Sequence, residues 1–346
     1  MSEAKSSARF LLLDGMRGVA AIGIMIFHLF LTNQKYFLGF NLFVDFFFVL
    51  SGFVLSPTLK VLSVKKFILT RILRLYPMLI PVFAVIIIVN SVPFISQNVI
   101  GRSPHTSVVQ YLGAFFLLQI FWSALIPING PLWSLSAEWF INLFALRFRP
   151  KDQIYMILLI GLFFELIGIY INHRLDLGWG VVSYFIAIGR VIVGFYLGAK
   201  LRISLCNGDY MGSLKRLSVA TVAFGLNFYL FALSDYFIVF AGPACFFLIR
   251  EVAIIDQTHI PRRFLWLCSY LGRISYGIYV WHMPMANLAI PFFILKHSSV
   301  TIEGSSESIF IAVINIICVV LGTEASIRFV EVPLRKITLR HINKII

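Results

Sequence analysis

The sequence predicts an all-α polytopic membrane protein: a bundle of about ten transmembrane helices, with a re-entrant or interfacial segment near residues 108–126. Three observations lead there. Hydrophobic residues make up 60% of the 346, charged residues only 13%, and the mean hydropathy is +0.91, far from the balance of soluble domains. Apolar runs long enough to cross about 30 Å of hydrocarbon recur along the whole chain. Between them the basic residues fall in short clusters that alternate with loops nearly free of positive charge, the asymmetry that orients helices in a bilayer.

In chain order the runs predict helices at 15–33, 40–59, 72–92, 132–148, 153–171, 181–199, 217–233, 236–254, 268–290 and 308–330. Met1–Arg9 precedes no cleavable signal, because the apolar run behind it carries Asp14, Arg17 and His28 and ends without a small-residue cleavage site. It is expected to stay as the first membrane helix. The apolar run Val108–Ile126 is not counted as a crossing, since that would put Arg147, Arg149 and Lys151 outside and invert every later loop. Pro127, Asn129, Gly130 and Pro131 supply the break that a segment turning back needs. The clusters Lys60/Lys65/Lys66/Arg71/Arg74, Arg147/Arg149/Lys151, Lys200/Arg202/Lys215/Arg216, Arg262/Arg263 and Arg335/Lys336/Arg340/Lys344 then all face the cytoplasm. Lys35, Arg102, Arg174 and Lys296 are left outside. Both termini are expected in the cytoplasm, on one membrane domain spanning residues 1–346 with no soluble domain appended.

A net charge of +14 does not point to nucleic acid, because the cations are dispersed as topology signals. Cys206, Cys245, Cys268 and Cys318 include no close pair, so neither a disulfide framework nor a zinc site is suggested, and no metal is expected.

Ionisable side chains at membrane depth are costly and tend to mark a pathway or a reaction centre. Arg17 and His28 both lie in the first apolar run. Their separation is about three helical turns, so they share nearly one face, roughly 16 Å apart along the axis. That face offers a cation near one surface and a titratable base deeper in, suited to an anionic donor held by its charged end and reacting at the other. Arg71 and Arg74, three residues apart at the entry of the third helix, share a face and suit a phosphate-bearing ligand, or are an ordinary positive-inside cluster. Asp45 and Glu138 are acids inside apolar spans. Either orients His28 or binds an acceptor hydroxyl, or pairs with a neighbouring helix for packing. Arg190 is another deep cation, with Glu165, Asp45 and Glu138 as its possible partners. His282 follows Ser275, Tyr276 and Tyr279 at helical spacing, a pattern that also serves as interhelical hydrogen bonding. Trp122, Trp133, Trp139 and Trp179 stack on sugars or belong to an interfacial belt.

These residues fall in a recognisable order. Leu13-Asp14-Gly15-Met16-Arg17-Gly18-Val19-Ala20-Ala21, continuing to His28, resembles the first-helix signature of the acyltransferase 3 family. Phe46-Phe47-Phe48-Val49-Leu50-Ser51-Gly52-Phe53 behind Asp45, Arg71-Ile72-Leu73-Arg74-Leu75-Tyr76-Pro77, and Leu132-Trp133-Ser134-Leu135-Ser136-Ala137-Glu138-Trp139 resemble its next three motifs. Ser275-Tyr276-Gly277-Ile278-Tyr279-Val280-Trp281-His282 and Glu331-Val332-Pro333-Leu334-Arg335 complete the order. The resemblance covers roughly residues 10 to 336; Met16 and Ala137 replace a commoner leucine and valine.

The resemblance implies transfer of an acyl group, most often acetyl, from cytoplasmic acyl-coenzyme A (acetyl-CoA as co-substrate) to a hydroxyl of a glycan outside the bacterial inner membrane. The acceptor would be an O-antigen, an exopolysaccharide or a lipid-linked precursor. Arg17, Arg71 and Arg74 would hold the coenzyme's phosphates. His28 would act as general base or as transient acyl carrier, with Glu138 or Asp45 orienting it. Trp133, Ser136, Tyr279 and His282 would serve the acceptor. The partners implied are the bilayer, the glycan and acyl-CoA, and either the bundle alone or a separate periplasmic protein completes the transfer. A proton-coupled transporter or glycan flippase is the rival class; the inverted repeats that would support it are not evident.

Overall fold

The computed structural model describes residues 10–29, 37–91, 107–122, 128–149, 153–172, 183–206, 208, 210–256, 260–296 and 306–337. Lys35, Arg102, Pro127, Lys151, Arg174, Trp179 and both chain ends lie outside the described residues. Among these residues eleven α-helices follow in order: α1 Leu11–Leu29, α2 Phe43–Val61, α3 Val64–Ser91, α4 Val108–Phe115, α5 Leu132–Arg147, α6 Ile154–Asn172, α7 Ser183–Cys206, α8 Leu214–Leu233, α9 Ala241–Ile255, α10 Arg262–Lys296 and α11 Ser306–Ser326. Short 3₁₀ turns, Leu38–Leu42 and Asp235–Phe240, lead into α2 and α9, and a π turn, Ile327–Glu331, follows α11. No strand occurs among the described residues.

Among the described residues, seven segments are long and apolar enough to cross a membrane: Leu11–Leu29, Leu38–Leu59, Val64–Ser91, Ile154–Ile171, Leu214–Leu233, Tyr236–Ile255 and Ala312–Ile337. The other three expected crossings are helical but fall outside that set. α5 has only 16 residues, α7 carries Arg190, Lys200 and Arg202, and α10 is rich in hydroxyl and basic side chains.

The helices gather into two compact units, residues 1–64 with 133–273 and residues 65–132 with 274–346. In the first, α7 packs along both α2 and α6. Glycines allow the approach: a Cβ built on Gly198 would lie 1.9 Å from the Val49 carbonyl oxygen, and one on Gly52 would lie 1.8 Å from that of Phe195. Backbones that close are the usual solution where helices have no hydrophobic gain from meeting in lipid. Leu13, Phe46, Val49, Phe53, Phe224, Cys245 and Ile249 form a buried apolar core from α1, α2, α8 and α9, joined by Leu201 of α7.

The first helix begins at Leu11, four residues earlier than its sequence pattern suggests. Phe10 cannot cap it, but the Asp256 carboxylate beyond α9 accepts from the Leu12 backbone N–H at 3.2 and 3.1 Å. A residue 244 positions away thus does the work of a local N-cap.

In the second unit, Phe115 of α4 packs edge-on against Tyr76 and Phe83 of α3, and α11 meets α10 where Gly277 leaves room for Thr323. The apolar run from 108 is helical for only eight residues, about 12 Å of length and well short of a crossing. Ser107 and Gln110 form a reciprocal cap at its start. At its end Leu118 N–H bonds to Gly113 O and Leu117 N–H to Ala114 O, with Leu117 at φ 59°. This is a Schellman-type stop carried by a leucine in place of the usual glycine. The break therefore comes at Phe116, well before the Pro127–Pro131 stretch that the sequence singles out.

Gly198→Ala is expected to destabilise the folded protein by about 1–3 kcal/mol through overpacking of α2 on α7, read as a fall in the thermal unfolding midpoint in detergent. Gly225→Ala, where a Cβ meets nothing within 4 Å, should leave it unchanged or raise it. Burial pushes the Asp256 carboxyl up to about 6, the Leu12 N–H pulling it down and the Asp14 charge adding to the rise. The folded state therefore holds this proton more tightly than the unfolded chain, and the stabilisation it gives is full below 3.8 and lost as pH rises through about 6. Thermal midpoints of wild type and Asp256→Asn, compared between pH 4 and 7, should show the wild-type advantage shrinking as pH rises.

Candidate functional site

On α1 the His28 ring lies close to the Ile24 carbonyl, Nδ1 to O 2.9 Å, with the Phe27 ring edge-on at 5.0 Å. A carbonyl oxygen can only accept, so Nδ1 carries the proton in that bond and Nε2 carries the lone pair of the neutral ring. The imidazole is half-buried. Arg17, on the same helix, donates from Nη2 to the Gly272 carbonyl at 2.6 Å and lies 3.7 Å from Asp14, with about a quarter of its side chain exposed. Its guanidinium is held at the helix end yet reachable.

Two of the motifs meet through Ser51 and Glu138: the Ser51 hydroxyl of α2 donates to Glu138 Oε1 of α5 at 2.9 Å, and Glu138 is half-buried. Asp45 is placed differently. Arg190 of α7 donates from Nε and Nη2 to its two oxygens at 2.9 and 2.5 Å, with 0% and 4% of the two side chains exposed. Of the three partners open to Arg190, the structure selects Asp45, and both Asp45 oxygens are engaged there. Trp133 is buried, its ring 5.8 Å from the Arg190 guanidinium and 6.2 Å edge-on from Phe48, surroundings that differ from an open sugar-stacking face. Ser136 is also buried.

In the second unit Arg71 is buried and Arg74 exposed. The spacing that suggests a common face thus separates the two heads into different environments. Tyr276 donates to the Leu75 carbonyl and Tyr279 to the Pro131 carbonyl, each at 3.0 Å. Asn129 donates to the Val280 carbonyl at 3.2 Å and Trp281 to Ser326 at 3.1 Å. Tyr279, a candidate for acceptor binding, thus holds the segment before α5 with its hydroxyl proton. His282 is buried and repeats the His28 pattern, Nδ1 lying 3.1 Å from the Ile278 carbonyl. Trp122 is exposed at the end of the turn after α4 and Trp139 is partly buried.

Sequence reasoning did not single out Ser51 as the partner of Glu138. The Ser-Gly pair inside an otherwise apolar run was the available signal.

A family model described as an acyltransferase domain matches residues 10–324. The peptidoglycan O-acetyltransferase OatA of Listeria monocytogenes is 26% identical over 376 residues, covering 94% of this chain and 55% of that protein. The O-acetyltransferase OatA of Staphylococcus aureus is 24% identical over 374 residues, covering 94% of this chain and 57% of that protein. The chain thus spans a little over half the length of the curated relatives it matches. No solved structure matches. A helical membrane frame, the ordered motifs along it and a family model running from the first helix into the last place this chain in the acyltransferase 3 family.

Proposed function

We propose that this chain is a membrane-embedded O-acyltransferase that moves an acyl group, acetyl by its kinship, from cytoplasmic acyl-CoA to a hydroxyl of a cell-surface glycan. The observation that supports it most directly is the His28 ring, whose Nδ1 is committed to the Ile24 carbonyl so that Nε2 presents the lone pair. In the proposed step Nε2 takes the proton of the acceptor hydroxyl as its oxygen attacks the thioester carbon. The thiolate then leaves and recovers that proton from the imidazolium, giving an ester and a thiol. The same nitrogen would attack the thioester if His28 carried the acyl group itself. Glu138, tethered to Ser51, is the carboxylate available to orient the imidazole or the acceptor.

Arg17 supplies a cation on the His28 helix for the donor's phosphates, and Arg71 is the candidate for a phosphate in the second unit. One relative is named for peptidoglycan, which sets peptidoglycan beside O-antigen and exopolysaccharide as acceptor classes.

Purified protein given labelled acetyl-CoA and isolated glycan fractions should transfer label to glycan, with the fraction that accepts it defining the acceptor. His28→Ala should lower turnover by roughly 10²–10⁴-fold while eluting as a folded protein in detergent; turnover retained in that variant would remove His28 from the mechanism. Arg17→Gln should raise the donor KM by about tenfold or more. Arg71→Lys, which keeps the charge and loses the planar fork, should raise it measurably, and Arg74→Lys should have a smaller effect.

A further inference from the structure

A buried polar cluster in the first unit is not used by the transfer step proposed above. Asp45 of α2 fixes the Arg190 guanidinium at two oxygens. Glu165 of α6 is buried and within electrostatic reach of both; its Oε2 has no hydrogen-bond partner among the described residues, and neither has Arg190 Nη1. Next to the guanidinium stands the Trp133 ring.

We infer that Arg190 is a positioning residue for Glu138, acting through Trp133. This rests on the reading of Glu138 as part of the acyl-transfer site. Asp45, Phe48 and Ser51 recur every three residues along one side of α2. From Asp45 the contact runs through Arg190 to Trp133; Phe48 touches Trp133 directly; Ser51 holds Glu138. Trp133 precedes Glu138 by about one and a half helical turns of α5. The start of α5 is thus set against α2 and α7 at Trp133, and a turn and a half later the carboxylate accepts from the Ser51 hydroxyl.

The guanidinium can perform this role because it is planar and pinned. A cation over an indole face is attracted by the ring quadrupole, and bidentate capture by Asp45 prevents it from turning away. A lysine would keep the charge but not the plane. An ion pair serving packing alone would be as well replaced by apolar side chains and would leave turnover per folded molecule unchanged.

The test uses the full chain with Arg190→Lys, Arg190→Gln, the neutral pair Asp45→Asn/Arg190→Gln, Glu138→Gln and Arg190→Lys/Glu138→Gln. The neutral pair keeps the experiment decisive if Arg190→Gln fails to fold by leaving Asp45 uncompensated. Per folded molecule, Arg190→Lys and the neutral pair should each lose about tenfold or more in kcat, with donor KM changed less than about twofold. Arg190→Lys/Glu138→Gln should be no slower than Glu138→Gln alone, the non-additivity expected of residues acting on one element. Independently of activity, a Ser51→Cys/Glu138→Cys pair should be bridged by a short bifunctional thiol cross-linker in the parent and more slowly with Arg190→Lys added. Additive losses in kcat, wild-type turnover in the neutral pair, or an unchanged rate of cross-linking would each overturn the proposal. If Glu138→Gln turns over normally, the catalytic reading of Glu138 fails, and the cross-linking rate alone decides whether Arg190 sets the position of α5.

Discussion

A charge in hydrocarbon must be answered, and in this protein the answer organises the first unit. Arg190 and Asp45 are almost wholly removed from solvent; separated, each would carry the desolvation penalty of an isolated ion. Their union requires α7 and α2 to lie nearly in backbone contact, which the glycines at 52 and 198 permit. Small residues and buried charge therefore belong to one solution: the glycines bring the helices close, and the ion pair fixes which registers meet. Trp133 is drawn in by the same guanidinium, so the start of α5 is placed by an ion pair between two other helices.

His28 and His282 show how a helix orients an imidazole through its own backbone. Each places Nδ1 near the carbonyl of the residue four positions earlier, on a backbone already fixed by its own hydrogen bonds. In each ring the carbonyl oxygen can only accept, so the proton sits on Nδ1. Their surroundings differ: His282 is fully buried among packing contacts with Tyr279, whereas His28 is half-buried. On one chemical pattern, exposure separates the candidate for chemistry from the candidate for structure.

The frame was legible because apolar length and the alternation of basic clusters report directly on a bilayer. Arg17, His28, Asp45 and Glu138 stood out for the same reason, being expensive where they lie. Pairings were not legible. Nothing local distinguishes Asp45 from Glu165 or Glu138 as the partner of Arg190, since the choice depends on which faces of α2, α6 and α7 meet. The common face read from Arg71 and Arg74 did not foresee that one head turns inward. The end of α4 was hidden because its stop uses Leu117 where glycine is the usual signal, and the start of α1 was hidden because its cap comes from the far side of the sequence.

That distant cap bears on how the chain is made. α1 leaves the ribosome well before α9, and the carboxylate that completes its amino end emerges 244 residues after the amide it caps. During synthesis the opening turn, which carries Asp14 and leads to Arg17, remains with unsatisfied amides until α9 has been inserted. Truncated or stalled chains would therefore hold a frayed entrance to their first helix. Closure of that end waits on α9, coupling the opening turn of the first helix to the completion of most of the unit around it.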